Sequence, residues 1–261
     1  MADAYHFEVR IFDCSIKVET PWVEAHTVLQ RYIFPSLPRI DNAADKPDIS
    51  IRVVQAADEF QLLADDVVVA SSSRAIGLVP DLMRIVDDAV VQRLTTLRAV
   101  HAGAVVWRGR ALLLPGGTHA GKSSLVTELL RRGATYFSDE YALIDSEGLV
   151  HPYPRSLLVR NGRPEQKPML PAECSASIGE VPAPVGWILS LQYLPGCSWD
   201  ITAITQGEAL LTLLRNTPHI LAESPDMMRV FERAVTRATC YAGCRSEAAD
   251  AVDHILQLMA S

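Results

Sequence analysis

The residues best suited to chemistry stand together in Gly116, Gly117, Thr118, His119, Ala120, Gly121, Lys122, Ser123 and Ser124. They meet the pattern G-x-x-x-x-G-K-[ST] at every fixed position. Glycines let backbone N–H groups turn inward around a phosphate. A helix starting at the lysine would add partial positive charge. Lys122 would then bridge the β- and γ-phosphates, and the Ser123 hydroxyl would ligate Mg²⁺. The run "LLLP" before it and "SSLVTELL" after it place the loop between a strand and a helix, as the pattern requires. The expected ligand is ATP with Mg²⁺. His119 reads as an exposed spacer within the loop.

A bound nucleotide needs a carboxylate on its metal side. Asp139 and Glu140 follow Lys122 by 17 and 18 residues, at the end of the strand "ATYF". That strand would return beside the loop. Neighbours on a strand face opposite ways, so one carboxylate is expected at the reacting centre while the other takes metal or a neighbour. The plain alternative is a solvated acidic turn. His101, judged alone, reads as a strand-edge histidine. Arg155 and Arg160 are candidates to meet phosphate charge, although arginines on strand edges usually just snorkel.

The elements that must carry these residues fall into two parts. Residues 1–98 read as a small α+β domain. "HFEVRIF" alternates Phe7, Val9 and Ile11 on one face, and "DISIRVV" alternates again. Thr20-Pro21 predicts a short helix through Ile33, followed by a polar loop "PSLPRIDNAADKP". "FQLLADDVVVA" predicts a hairpin turning at Ala64-Asp65-Asp66. Leu82, Val86, Val90, Leu94 and Leu97 keep helical spacing and predict a helix over 80–98.

Residues 99–261 form the second expected domain. "AGAVVWRGRALLLPGG" predicts two strands joined at Arg108-Gly109, the second feeding the glycine loop. The helix from Lys122 should end near Arg132, with Gly133 as its stop. Several short strands follow, with Ser146-Glu147-Gly148 as a turn. Residues 161–185, opening with Asn161-Gly162, predict one long loop. Strands are expected at "GWILSLQYL" and "WDITAI", then helices starting near Gly207-Glu208, Ser224-Pro225-Asp226 and Ser246-Glu247.

The stretch "LRAVHAGAVVWRGRALLLPGGTHAGKSSLVTELLRRGATYFSDEYALID" resembles the catalytic domain of HPr kinase/phosphorylase. His101, Gly116 to Ser123, and Asp139-Glu140 match that family's histidine, P-loop and acidic pair in order and approximate spacing. The likeness covers about residues 98–160. It implies an α/β (α+β) P-loop kinase fold shared with phosphoenolpyruvate carboxykinase, with a mixed β core. It also implies that Asp139 is the general base, that Glu140 assists with Mg²⁺ and that His101 lines the site. Three departures stand out. Gly117-Thr118 replaces an acid-serine pair, Glu140 replaces an aspartate, and "RNGRPEQKPMLPAEC" stands where the family carries its glycine-rich signature. The chain as a whole is similar to stand-alone HPr-kinase-like proteins of bacterial biosynthetic clusters, some of which phosphorylate a serine of a ribosomally made peptide.

Composition narrows the classes. Among 261 residues the formal net charge is −7 and Lys and Arg do not cluster, which argues against a nucleic-acid binder. No run of about 20 apolar residues predicts a membrane span, and "MADAYHFEVRIF" does not read as a secretory signal. Five scattered cysteines predict no disulfide framework. Cys240 and Cys244 lack the further ligands zinc wants and read as buried or idle thiols. A cytoplasmic ATP-dependent serine kinase acting on a protein or peptide is the expectation, with a homo-oligomer among its allowed assemblies. A small-molecule kinase of the shikimate-kinase type and a non-catalytic nucleotide-dependent binder are the alternatives. No N-K-x-D sequence appears for guanine reading.

Overall fold

The structure is a computed structural model that describes residues 5–33, 35, 46–117, 120–160, 165–218 and 225–260. It is a mixed α/β chain that separates into two compact units, Met1–Thr95 with Leu158–Leu170, and Thr96–Leu157 with Pro171–Ser261. Most of the polar loop expected before "DISIRVV" lies outside the described residues.

The first unit carries a five-stranded sheet in sequential order: β1 (Tyr5–Ile11), β2 (Cys14–Thr20), β3 (Ile49–Ala56), β4 (Glu59–Ala64) and β5 (Val67–Ser72). Only the β2–β3 pairing is parallel. The alternation seen in sequence is the burial pattern: Phe7, Val9 and Ile11 are buried on β1, and Ile51 and Val53 on β3. The hairpin between β4 and β5 turns at Asp65-Asp66, both with positive φ. Helix α1 (Val23–Tyr32) starts after Trp22, a little later than Thr20-Pro21 predicts.

Helix α2 (Val79–Arg93) buries Leu82, Val86 and Val90. It does not continue to residue 98. Leu94 turns extended, with ψ 122, because Arg98 is already the first residue of the next strand and is paired across to Ile144. Helical spacing at Leu94 and Leu97 therefore misleads; a residue bound into a sheet ladder cannot also close a helical turn.

The second unit begins with β6 (Arg98–Trp107) and β7 (Arg110–Pro115), joined at Arg108-Gly109, then α3 (Lys122–Arg131). β8 (Thr135–Ser138) and β9 (Tyr141–Ile144) follow along the same partner strand β6, interrupted at Asp139-Glu140. β10 (Leu149–His151) comes next. β11 (Leu157–Val159) and β12 (Lys167–Met169) make a separate two-stranded ribbon, which from Leu158 onward is counted with the first unit. The predicted 161–185 loop thus contains a strand and a short 3₁₀ turn at Pro171–Cys174; Asn161-Gly162 lies outside the described residues. Pairing with β11 holds backbone that the proline-rich composition suggested would be loose.

The remaining elements are β13 (Ala183–Tyr193), β14 (Asp200–Ala203), α4 (Gln206–Arg215), α5 (Pro225–Thr236), β15 (Thr239–Arg245) and α6 (Ala248–Leu258). β15 has no clean apolar alternation and was not visible in the sequence pattern. The eight-stranded sheet runs β10-β9-β6-β7-β13-β15-β14, with β8 also on β6 and β10 also on β13. The pairings β9–β6–β7–β13–β10 therefore close into a ring. α4 and α5 bury Leu213, Phe231 and Val235 in the apolar cluster with Val100, Leu113 and Ile188. α3 packs against β6 and α6. Its approach to β6 requires Gly103, where a Cβ would come within 2.7 Å of Val126 Cγ2.

Candidate active site

β7 runs parallel to β13, and β13 parallel to β15. Their C-terminal ends consequently share one edge of the sheet, the edge where α/β ligand sites form. The glycine loop leaves from that edge, between Pro115 and Lys122. Gly121 caps α3 with φ 77, a left-handed conformation that favours glycine. A Cβ there would also collide with the Arg245 guanidinium. Gly117 has open space around it. Thr118 and His119 lie outside the described residues, while Ser123 is half-buried and Ser124 exposed.

Lys122 is only 9% exposed and folds back along the loop. Its ammonium donates to Gly116 O at 2.8 Å and to Gly117 O at 3.1 Å. Burial depresses its pKa, with the Glu140 and Asp139 carboxylates opposing the shift. The cation is therefore placed where it is poorly hydrated, and an anion in the loop would gain from it more than in water.

His101 sits on β6 where the loop and the acidic pair meet. Its carbonyl accepts from Gly116 N at 3.3 Å, and the next residue's N–H, of Ala102, donates to Glu140 O at 3.0 Å. Its Nε2 lies 2.7 Å from Glu140 Oε1 and 3.1 Å from Lys122 Nζ. A nitrogen this close to a carboxylate carries the proton and donates it. It then has no lone pair for the lysine. Burial pushes the Glu140 carboxyl up, but the His101 hydrogen bond and the Arg155, His101 and Lys122 charges outweigh this and hold it at about 2.

The two acids face different surroundings. Glu140 keeps about a third of its side chain exposed, at 33%, whereas Asp139 has none exposed. Asp139 Oδ1 accepts from Tyr136 OH at 3.3 Å and pairs with Arg155 Nε at 3.4 Å. Ser138 Oγ accepts from the N–H groups of Glu140 and Tyr141, fixing the bend that separates the two carboxylates. Arg155 is itself buried and reaches toward Glu140 Oε2 at 4.0 Å. Arg160 is exposed and belongs to the first unit.

The structure thus gathers His101, Gly116, Gly117, Lys122 and Glu140, with Asp139 and Arg155 beneath them. Sequence reasoning weighed Arg155 as a phosphate contact and missed it as the partner of Asp139. It also missed Arg245, whose only sequence cue is an arginine closing the stretch "TCYAGCR". One cysteine expectation is overturned. Cys244 is not an idle thiol; it is joined to Cys197 in a disulfide. Residues 47 apart are brought together only once β15 pairs with β13, which spacing could not reveal. Cys240 is buried and its thiol is pushed up to about 11 by burial.

Among the described residues no group of three or more His, Cys, Asp or Glu is placed to hold a metal by itself, and no helix is long and apolar enough to cross a membrane. Compared with known proteins, the chain matches no family model and no curated protein.

Proposed function

We propose that the second unit is a P-loop kinase domain of the HPr kinase/phosphoenolpyruvate carboxykinase type. It would bind ATP and Mg²⁺ at residues 116–124 and transfer the γ-phosphoryl group to a serine hydroxyl of a protein or ribosomally made peptide in the cytoplasm. The observation that carries this reading is Lys122, buried against Gly116 and Gly117 at the start of α3, with the His101–Glu140 pair beside it.

The residues fit the group. A loop with a left-handed glycine opening a helix offers backbone N–H groups to phosphate oxygens. Ser123 and Glu140 would hold the metal. Mg²⁺ takes few protein ligands and completes its shell with water and phosphate oxygens, so two protein ligands are enough for it. ATP would supply the phosphoryl group, and the metal would neutralise charge on it.

This chain's own residues would do the rest. Lys122, poorly hydrated against Gly116 and Gly117, would draw phosphate oxygens to its ammonium. Glu140, partly exposed beside the loop and held in its charged form, suits a metal, and proton removal falls to Asp139 as the resemblance implies. In that role Asp139 accepts the acceptor's hydroxyl proton once the side chains above it part. His101 fixes the Glu140 carboxylate and keeps its own proton directed there.

The burial of Asp139 favours one second reading, a nucleotide-dependent binder that performs no transfer. Incubating the protein with ATP·Mg²⁺ and a panel of serine-bearing peptides distinguishes them by mass spectrometry. The kinase yields a peptide heavier by one phosphoryl group; a binder changes melting temperature with ATP·Mg²⁺ and modifies nothing.

A further inference from the structure

We propose that Arg245 is the positioning residue of the phosphate loop, holding its backbone N–H groups toward the ligand from behind; the inference rests on the nucleotide reading above. Arg245 closes β15 and is 2% exposed. Its Nη2 donates to Gly121 O at 2.9 Å and to Ala120 O at 3.4 Å, and its Nη1 donates to Ser246 O at 2.7 Å. The guanidinium lies 5.3 Å over the Tyr193 ring, and β-ladder register pairs Tyr193 with Arg245. Tyr193 OH in turn donates to Glu247 at 2.9 Å.

Peptide geometry turns these contacts into a function. In a trans peptide the carbonyl and the following N–H point in opposite directions, and none of the described peptide bonds is cis. A donor that takes the carbonyls of Ala120 and Gly121 on one side therefore aims the N–H groups of Gly121 and Lys122 at the other. Those are the donors that a phosphate at a helix N-terminus uses. Gly121 O also accepts from Leu125 N at 3.2 Å, so the same carbonyl ties the loop to the first turn of α3.

Burial lowers the Arg245 pKa, with Glu247 and Tyr193 opposing the shift. Arginine nevertheless stays charged in proteins, and a buried charge is tolerated only where hydrogen bonds meet it. The loop carbonyls supply them to Nη2 and Ser246 O to Nη1, while among the described residues Nε has no hydrogen-bond partner. Gly121 is the counterpart on the loop side, since any side chain there would displace the guanidinium.

The test compares wild type with Arg245→Met, Arg245→Lys and Val252→Ala, the last removing bulk from buried Val252 on α6 as a control for general loss of stability. Affinity for ATP·Mg²⁺ is measured by calorimetry, and amide exchange of residues 120–125 is measured in nucleotide-free protein. Arg245→Met should lose about 10- to 100-fold in affinity, the scale of a charged hydrogen bond, and speed exchange at those amides. Arg245→Lys should recover part of both, and Val252→Ala should change neither at a matched fall in melting temperature. The proposal is overturned if Arg245→Met binds and exchanges like wild type, or if Val252→Ala reproduces both effects. Should Arg245→Met not fold, the same comparison is made with Arg245→Lys. Wild type that ignores ATP·Mg²⁺ would sink the nucleotide reading and with it the ligand half of this proposal, while the exchange comparison would still decide whether Arg245 positions the loop.

Discussion

His101 Nε2 donates to Glu140 Oε1 across 2.7 Å, and this bond joins β6 to the bend that follows α3 and β8. The two residues are far apart in sequence but adjacent in the sheet, because β6 pairs with β9 over His101 and Tyr141. With Lys122 Nζ 3.1 Å from the same nitrogen, charge of both signs is concentrated at the loop. A cation, a proton donor and an anion in contact exclude one another's water and respond to substitution as a unit.

Acid stability should report this contact. The Glu140 carboxyl ordinarily titrates near 4.5 and is held at about 2. Its folded pKa is depressed, so its contribution is full above about pH 4.5 and is lost as pH falls toward about 2. Wild type should therefore melt higher than Glu140→Gln near neutrality, and the gap should narrow across that window. A gap that is the same at both ends, by calorimetry or circular dichroism, would show that the carboxylate is not held by His101 and its neighbouring cations.

Lys122→Met should abolish the rise in melting temperature caused by ATP·Mg²⁺ while the free protein keeps its fold. Burial already works against the lysine's charge, so an apolar side chain of similar length fits the same path; it forfeits the bonds to Gly116 O and Gly117 O together with the phosphate contact. Thermal shift with and without nucleotide measures both halves. An undiminished nucleotide response would place the phosphates elsewhere.

Much of this arrangement was legible in sequence. The glycine loop, the helix after it and the acidic pair are local patterns, and local patterns fix strand–loop–helix order without long-range information. Alternation at Phe7, Val9 and Ile11 likewise predicted the buried face of β1. What stayed hidden depends on partners distant in the chain. Leu94 and Leu97 look helical until Arg98 pairs with Ile144; "TCYAGCR" becomes a strand because it lies between β13 and β14. Asp139 and Glu140 are neighbours in sequence, yet the Ser138 bend and the Arg155 side chain decide which is buried.

The Cys197–Cys244 disulfide gives a chemical count. Denatured and alkylated without reductant, the protein should take up three adducts, on Cys14, Cys174 and Cys240; after reduction it should take up five. Cys197→Ser should lower stability by about 2–4 kcal/mol in oxidising buffer, the typical worth of a closed loop of this kind, and by much less in reductant. Five adducts from unreduced protein would mean that the pair is not bonded.

The sharpest division falls between the two acids. Asp139→Asn keeps one oxygen for Tyr136 and Arg155 but cannot take a hydroxyl proton, so turnover should fall by about 10² to 10⁴ if Asp139 is the base. ATP affinity should barely change, because Asp139 lies beneath the loop rather than on it. Glu140→Gln should instead raise the Mg²⁺ requirement and retain activity at saturating metal. A control is needed for the buried pair: neutralising Asp139 leaves the Arg155 charge less compensated, and losing one member of such a pair costs about 3–5 kcal/mol when nothing replaces it. Turnover is therefore compared below the melting temperature of both variants, with phosphoryl transfer and ATP binding followed across a Mg²⁺ titration. Near wild-type turnover by folded Asp139→Asn, alongside a dead Glu140→Gln at any metal concentration, would move proton removal from the buried acid to the exposed Glu140–His101 pair.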